Sequence, residues 1–130
     1  MNANTPAFGL NEIGQVTITI TDLEKATPFY RDALGMKHLF SAPPGLAFFA
    51  VGNVRLMLSR PETKDFIPSS SPIYFKVADI QAARDSLAAR GVTFESEPHL
   101  VARMPDHELW MAFFRDPDRN LLALMSEKRS

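Results

Sequence analysis

The chain has 130 residues, 45% of them hydrophobic and 22% charged, which suits one soluble domain with a single buried core. Its 14 basic and 15 acidic residues are spread along the chain and leave a net charge of −1, which excludes the basic footprint of a nucleic-acid or anionic-membrane binder. Cysteine is absent, so disulfides, thiolate nucleophiles and cysteine metal sites are excluded too.

The first ten residues lack the basic and apolar regions of a signal peptide, and no apolar run is long enough to span a bilayer. The expected setting is the cytoplasm. Residues 13–20 alternate polar Gln15, Thr17 and Thr19 with apolar Val16, Ile18 and Ile20, the pattern of a strand with one buried face. Asp22 is a good N-cap for the helical pattern of Leu23, Ala26, Tyr30, Ala33 and Leu34, and Gly35 a good C-cap. Pro28 interrupts that pattern, and its position predicts the first turn of the true helix after a tight lead-in. Residues 36–40 read as a short strand. "LAFFAVGNVRLMLS" reads as a hairpin turned at Gly52-Asn53.

The Pro- and Ser-rich residues 61–71 form a linker. Then the pattern restarts, with "PIYFKV" as a strand, Asp79 as N-cap, "IQAARDSLAAR" as a helix ended by Gly91, and "VTFES" as a strand. A loop is expected over "EPHLVARMPD", followed by a hairpin of "ELWMAFF" and "LLALMS" turned by "RDPDRN". The halves repeat: Ile20-Thr-Asp-Leu23 lies over Val77-Ala-Asp-Ile80, and Leu56-Met-Leu58 over Leu122-Ala-Leu124. The chain therefore divides into a β-α-β-β-β module at 13–60, a linker at 61–71 and a second module at 72–128. Each module has one sheet face covered by its helix and one bare, and two such units can curl their bare faces into a cup.

"IGQVTITITDLEKATPFYRDALGM", "YFKVADIQAARDSLAARGVTF" and "FFRDPDRNLLALMSEK" resemble the vicinal oxygen chelate superfamily, which includes glyoxalase I, extradiol dioxygenases and the fosfomycin- and bleomycin-resistance proteins. The likeness runs from Ile13 to Lys128. It implies an α+β fold of two tandem modules forming an open, barrel-like cup, usually in a homodimer. In the metal-dependent members, His and Glu side chains on the first and last strands of each module hold a divalent cation. The corresponding positions here are Gln15, Met57, Pro72 and Ala123. Pro, Met and Ala offer no ligand that a hard cation uses, and Gln one neutral oxygen. No metal and no other cofactor is therefore expected.

Strand alternation puts Thr17, Thr19, Arg55, Ser59, Tyr74, Lys76, Leu121 and Met125 in the cup beside those positions. Both parities of "HELWMAFF" are bulky, and the resemblance turns Met111 and Phe113 inward with His107 at the rim. Arg55 is either a partner for a ligand carboxylate or phosphate, or one half of an ion pair at a sheet edge. Tyr74 is either core packing with a satisfied hydroxyl or an acid–base group. Trp110 is a core filler or a stacking platform. His38 and His99 read as structural, and Asp116 and Asp118 as turn chemistry. Arg119 stands where the family usually has Gly, and Asn120 is expected to take the left-handed conformation in its place.

These residues lead to a metal-free homodimer binding a small organic ligand through Gln15, Thr17, Arg55, Met57, Tyr74, His107, Trp110, Met111, Phe113 and Ala123. The rival is an isomerase, lyase or dioxygenase, acting either through cup side chains such as Tyr74 or His107 as acid–base groups or through metal ligands relocated to other positions. A third reading is an accessory dimer with no small ligand.

Overall fold

A computed structural model describes residues 8–42, 44–61 and 71–129. The alternation at the start of the chain becomes strand β1 (Gln15–Thr19), which sends Ile18 into the core and leaves Gln15 and Thr17 exposed. The Asp22 carboxylate accepts hydrogen bonds from the backbone N–H groups of Glu24 and Lys25 and starts helix α1 (Leu23–Pro28). Pro28 does not begin the helix, as its position in the sequence suggests, but ends the α-helical stretch. It has no N–H for the carbonyl four residues back, and the ladder widens into a π-helical turn over Phe29–Ala33, in which the Leu34 N–H donates to Phe29 O. Gly35, at φ +74°, closes this helical stretch.

Strands β2 (Lys37–Ala42), β3 (Leu46–Val51) and β4 (Val54–Ser59) complete the first module, with Gly52 supplying the positive φ of the two-residue turn. The second module repeats this plan with β5 (Ile73–Lys76), α2 (Ile80–Ala89), β6 (His99–Arg103), β7 (His107–Arg115) and β8 (Leu121–Arg129). The sheets run β1-β4-β3-β2 and β5-β8-β7-β6. Their registers obey the internal repeat: Val16 pairs with Leu56 in the first, and Ile73 with Leu122 in the second.

Two local expectations are corrected. Residues 92–96 do not form a strand; Phe94 makes a single bridge to Phe114. The strand lies instead in the expected loop, at His99–Arg103, where half-buried Leu100 and Ala102 alternate with exposed His99, Val101 and Arg103 along the free side of β7. Of the linker, residues 62–70 lie outside the described residues.

The helix-side faces of both modules feed one core, in which Ile18, Tyr30, Phe49 and Leu58 join Ile80, Phe114, Leu122 and Leu124. The outermost strands carry matching bulges. Leu39 is the extra residue between the His38–Phe49 and Phe40–Phe48 pairs, and Val101 the extra one between Leu100–Trp110 and Ala102–Leu109.

Candidate ligand site and its relatives

Beyond the helices, each sheet has an outer face made by the opposite parity of its strands. On the first sheet Gln15, Thr17, Arg55, Met57 and Phe48 share this face. Arg55 Nε donates to Gln15 Oε1 at 2.9 Å, and the guanidinium lies 5.6 Å from the Phe48 ring centroid. Gln15 Nε2 lies 3.9 Å from Met57 Sδ, and Phe48 stacks on Phe40 at 4.6 Å. Among the described residues no carboxylate lies within ion-pair distance of Arg55, and its partner there is the Gln15 amide. Phe40 escaped the sequence reading because the bulge at Leu39 shifts the parity of β2, and Phe48 because "LAFFAV" is apolar in both parities and shows no alternation.

On the second sheet, Tyr74, Ala123 and Phe113 lie side by side across β5, β8 and β7. Tyr74 meets Phe113 edge-to-face at 6.2 Å, and His99 stacks on the other side of the same ring at 6.2 Å. Tyr74 is 43% exposed and its hydroxyl has no partner among the described residues, so it is not core packing. His99, read from sequence as a loop histidine, belongs to this aromatic row because it is the first residue of β6. Met111 pairs with Met125 in the next rung.

His107 has the same parity at the far end of β7, but in different company. Its Nδ1 lies 2.7 Å from Asp106 Oδ1 and its Nε2 4.0 Å from Glu127 Oε2. Lys76 reaches Glu127 at 3.1 Å, and Arg129 reaches Asp106 at 2.8 Å. The Lys76 ammonium holds the Glu127 carboxyl below its usual range, and the His107 ring, then Arg129, do the same for Asp106. Nδ1 is thus engaged by Asp106, while Nε2 faces Glu127 beyond hydrogen-bond distance.

Trp110 is displaced from the ligand set. It has the parity of Ala112 and Phe114, packs against the core, donates from Nε1 to Glu108 Oε1 at 3.2 Å, and is covered by the Lys128 ammonium 4.3 Å above its ring. Among the described residues, no hydrogen bond, ion pair or ring contact joins the Gln15–Arg55 group to the Tyr74–Phe113 group.

At the positions that hold metal in the metal-dependent relatives, Gln15 and Met57 touch each other, Pro72 immediately precedes β5, and Ala123 is buried beneath the Tyr74–Phe113 row. The Gln15 amide oxygen is already an acceptor for Arg55, and a thioether is a poor ligand for a hard cation. This donor set does not fit the superfamily's divalent ion. Among the described residues no three His, Asp or Glu side chains are placed to hold a metal ion together.

The turn between β7 and β8 ties the modules together. Asp116 is 3% exposed; its Oδ2 accepts from Tyr30 OH at 2.7 Å and Asn120 Nδ2 at 2.9 Å, and its Oδ1 from the backbone N–H groups of Asp118 and Asn120. Asn120 Nδ2 also donates to Thr19 O at 2.8 Å, while the Asp118 carboxylate accepts from the Thr21 hydroxyl and backbone N–H. Burial, followed by the Asp116 charge, pushes the Tyr30 phenol far above its ordinary pKa. The left-handed residue is Arg119, at φ +71°, and not Asn120, whose amide and N–H are committed to Thr19 and Asp116.

Residues 12–124 match the family model of the Glyoxalase/Bleomycin resistance protein/Dioxygenase superfamily. The chain belongs to that superfamily. Its sequence is 29% identical to the uncharacterized protein YraH of Bacillus subtilis over 126 residues, covering 85% of this chain and 94% of that protein. A superfamily member from Sphaerobacter thermophilus is 28% identical, with a TM-score of 0.73 over 91% of this chain and 98% of that one. A lactoylglutathione lyase from Agrobacterium tumefaciens shares the fold at 23% identity, with a TM-score of 0.71 over 90% and 94% of the two chains. The superfamily assignment and the paired-module architecture read from the sequence are thereby borne out. No described helix is long and apolar enough to cross a membrane.

Proposed function

We propose that this superfamily member is a homodimeric, metal-independent binder of a small organic molecule that has an aromatic part and an anionic or carbonyl group. The observation that carries the reading is Arg55. Its guanidinium is oriented by an amide oxygen and an aromatic ring, and no carboxylate among the described residues neutralises it. Such a group is set to accept a carboxylate or phosphate in bidentate fashion. Phe40 and Phe48 beside it, and the Tyr74–Phe113–His99 row on the second sheet, supply faces for a ring.

The way the modules pack supports the dimer. Their helix sides share one core, so the outer faces look away from it, with Phe40 50% and Tyr74 43% exposed. A two-fold axis that sets the first sheet of one copy against the second sheet of another covers both faces twice and encloses two identical sites. A second reading, an enzyme using Tyr74 as an acid–base group, is favoured by its phenol, which lies next to Phe113 and has no hydrogen-bond partner among the described residues.

The test is calorimetric titration with aromatic carboxylates and aryl phosphates, alongside mass measurement in solution. Binding that is lost in Arg55→Gln and kept in His107→Gln, by a protein of twice the monomer mass, supports the proposal. Stoichiometric nickel, zinc, iron or manganese in protein purified without chelator overturns it. Conversion of a bound compound that stops in Tyr74→Phe establishes the second reading.

A further inference from the structure

A cavity lies on the opposite side of the sheets from the proposed ligand face. It has a volume of about 540 Å³ and opens between the modules, lined from the first by Leu34, Met36 and Val51 and from the second by Phe75, Leu87 and Phe114. That volume is in the range of small-molecule sites. No carboxylate lines it; Lys37 and Ser86 are its polar members. A second cation stands beside it. Arg90 donates to Ala33 O at 3.3 Å, and its Nη1 lies 3.5 Å from where a Cβ on the cavity-lining Gly35 would be. Neither Lys37 nor Arg90 has an acidic partner among the described residues.

We infer that this inter-module cavity is a second binding site, for an unbranched aliphatic carboxylate whose tail fills the apolar interior and whose head group meets Lys37 and Arg90. Charge complementarity selects the head, because Lys37 in the lining and Arg90 beside it have no acidic partner among the described residues and no carboxylate lines the hollow. The lining selects the tail, because it is built from aliphatic carbons and two phenylalanine rings with one hydroxyl among them. This site is independent of the Arg55 face, and either one can stand without the other.

The experiment is a two-dimensional NMR titration with hexanoate, octanoate and decanoate, with decanol as the uncharged control. The expected result is saturable shifts at residues 34–37, 50–51 and 83–87, with affinity rising about threefold per added methylene. The double variant Lys37→Gln/Arg90→Gln should weaken decanoate binding by roughly tenfold while leaving decanol unchanged. Ala83→Phe, which fills the hollow, should abolish both. The site is overturned by an absence of saturable shifts with any of the acids, or by shifts confined to Gln15, Arg55 and Tyr74. It is equally overturned if the double variant binds decanoate as tightly as the parent. The mapping on the parent protein does not depend on how well any variant folds.

Discussion

The two modules share one register but differ in how β3–β4 and β7–β8 are joined. In the first, Gly52 and Asn53 make a two-residue turn that forms no hydrogen bond beyond its own hairpin among the described residues. In the second, residues 116–120 make a longer turn whose buried Asp116 and Asn120 hold Tyr30 and Thr19 of the first module. The scaffold is the same twice, but of the two turns only the second adds hydrogen bonds between the halves, among the described residues, to the core they share. The outer faces diverge in a similar way. The first carries an arginine held by an amide, and the second an aromatic row that ends in a charge network around His107.

The sharpest way to break this asymmetry is Asp116→Ala, which leaves the Tyr30 hydroxyl, two backbone N–H groups and the Asn120 amide without their acceptor. Urea denaturation should show a loss of about 3–5 kcal/mol, whereas Asn53→Ala in the matching turn should cost no more than about 0.5 kcal/mol. Next in size, Tyr30→Phe removes the hydroxyl donor to Asp116 and should cost about 1–3 kcal/mol by the same measurement.

The same phenol sets an alkaline limit. Its folded pKa is raised above the unfolded value of 10.0, so its contribution is complete below that value and declines as pH rises beyond it. Chemical denaturation above pH 10 should show the parent losing about 1.4 kcal/mol per pH unit from this group, and Tyr30→Phe should lack that component. Arg119→Gly relieves a left-handed side-chain-bearing residue and should stabilise by about 0.5 kcal/mol in the same urea titration. Smallest of all, Arg55→Gln should shift the urea midpoint by an amount worth at most about 0.5 kcal/mol, since its contacts are on an exposed face.

Most of the scaffold was legible from local patterns. Alternation from Gln15 to Ile20, the caps Asp22 and Asp79, and the repeat of Leu56–Leu58 over Leu122–Leu124 all carry short-range signals that the fold obeys. What escaped depends on partners distant in sequence. β6 looked like a loop because its value as a strand comes from the free side of β7. Trp110 looked like a ligand contact because "HELWMAFF" is bulky in both parities, and only pairing with Ser126 settles its side. Asp116 was recognised as a turn former, but its bond to Tyr30 spans 86 residues and leaves no trace in spacing. Arg119 shows the same limit in reverse: Asn120 is the better left-handed residue in isolation, but its hydrogen bonds hold it elsewhere.

The paired bulges at Leu39 and Val101 have a consequence for how this molecule stays dispersed. Both are exposed and apolar, and both sit on the outermost strand of a four-stranded sheet, where open backbone groups can recruit a further chain. A strand interrupted by an extra residue cannot offer an unbroken ladder to a newcomer, so fibre-like growth stalls at that edge. The interruption occurs at equivalent places in both halves, so each sheet has one edge poorly suited to such stacking.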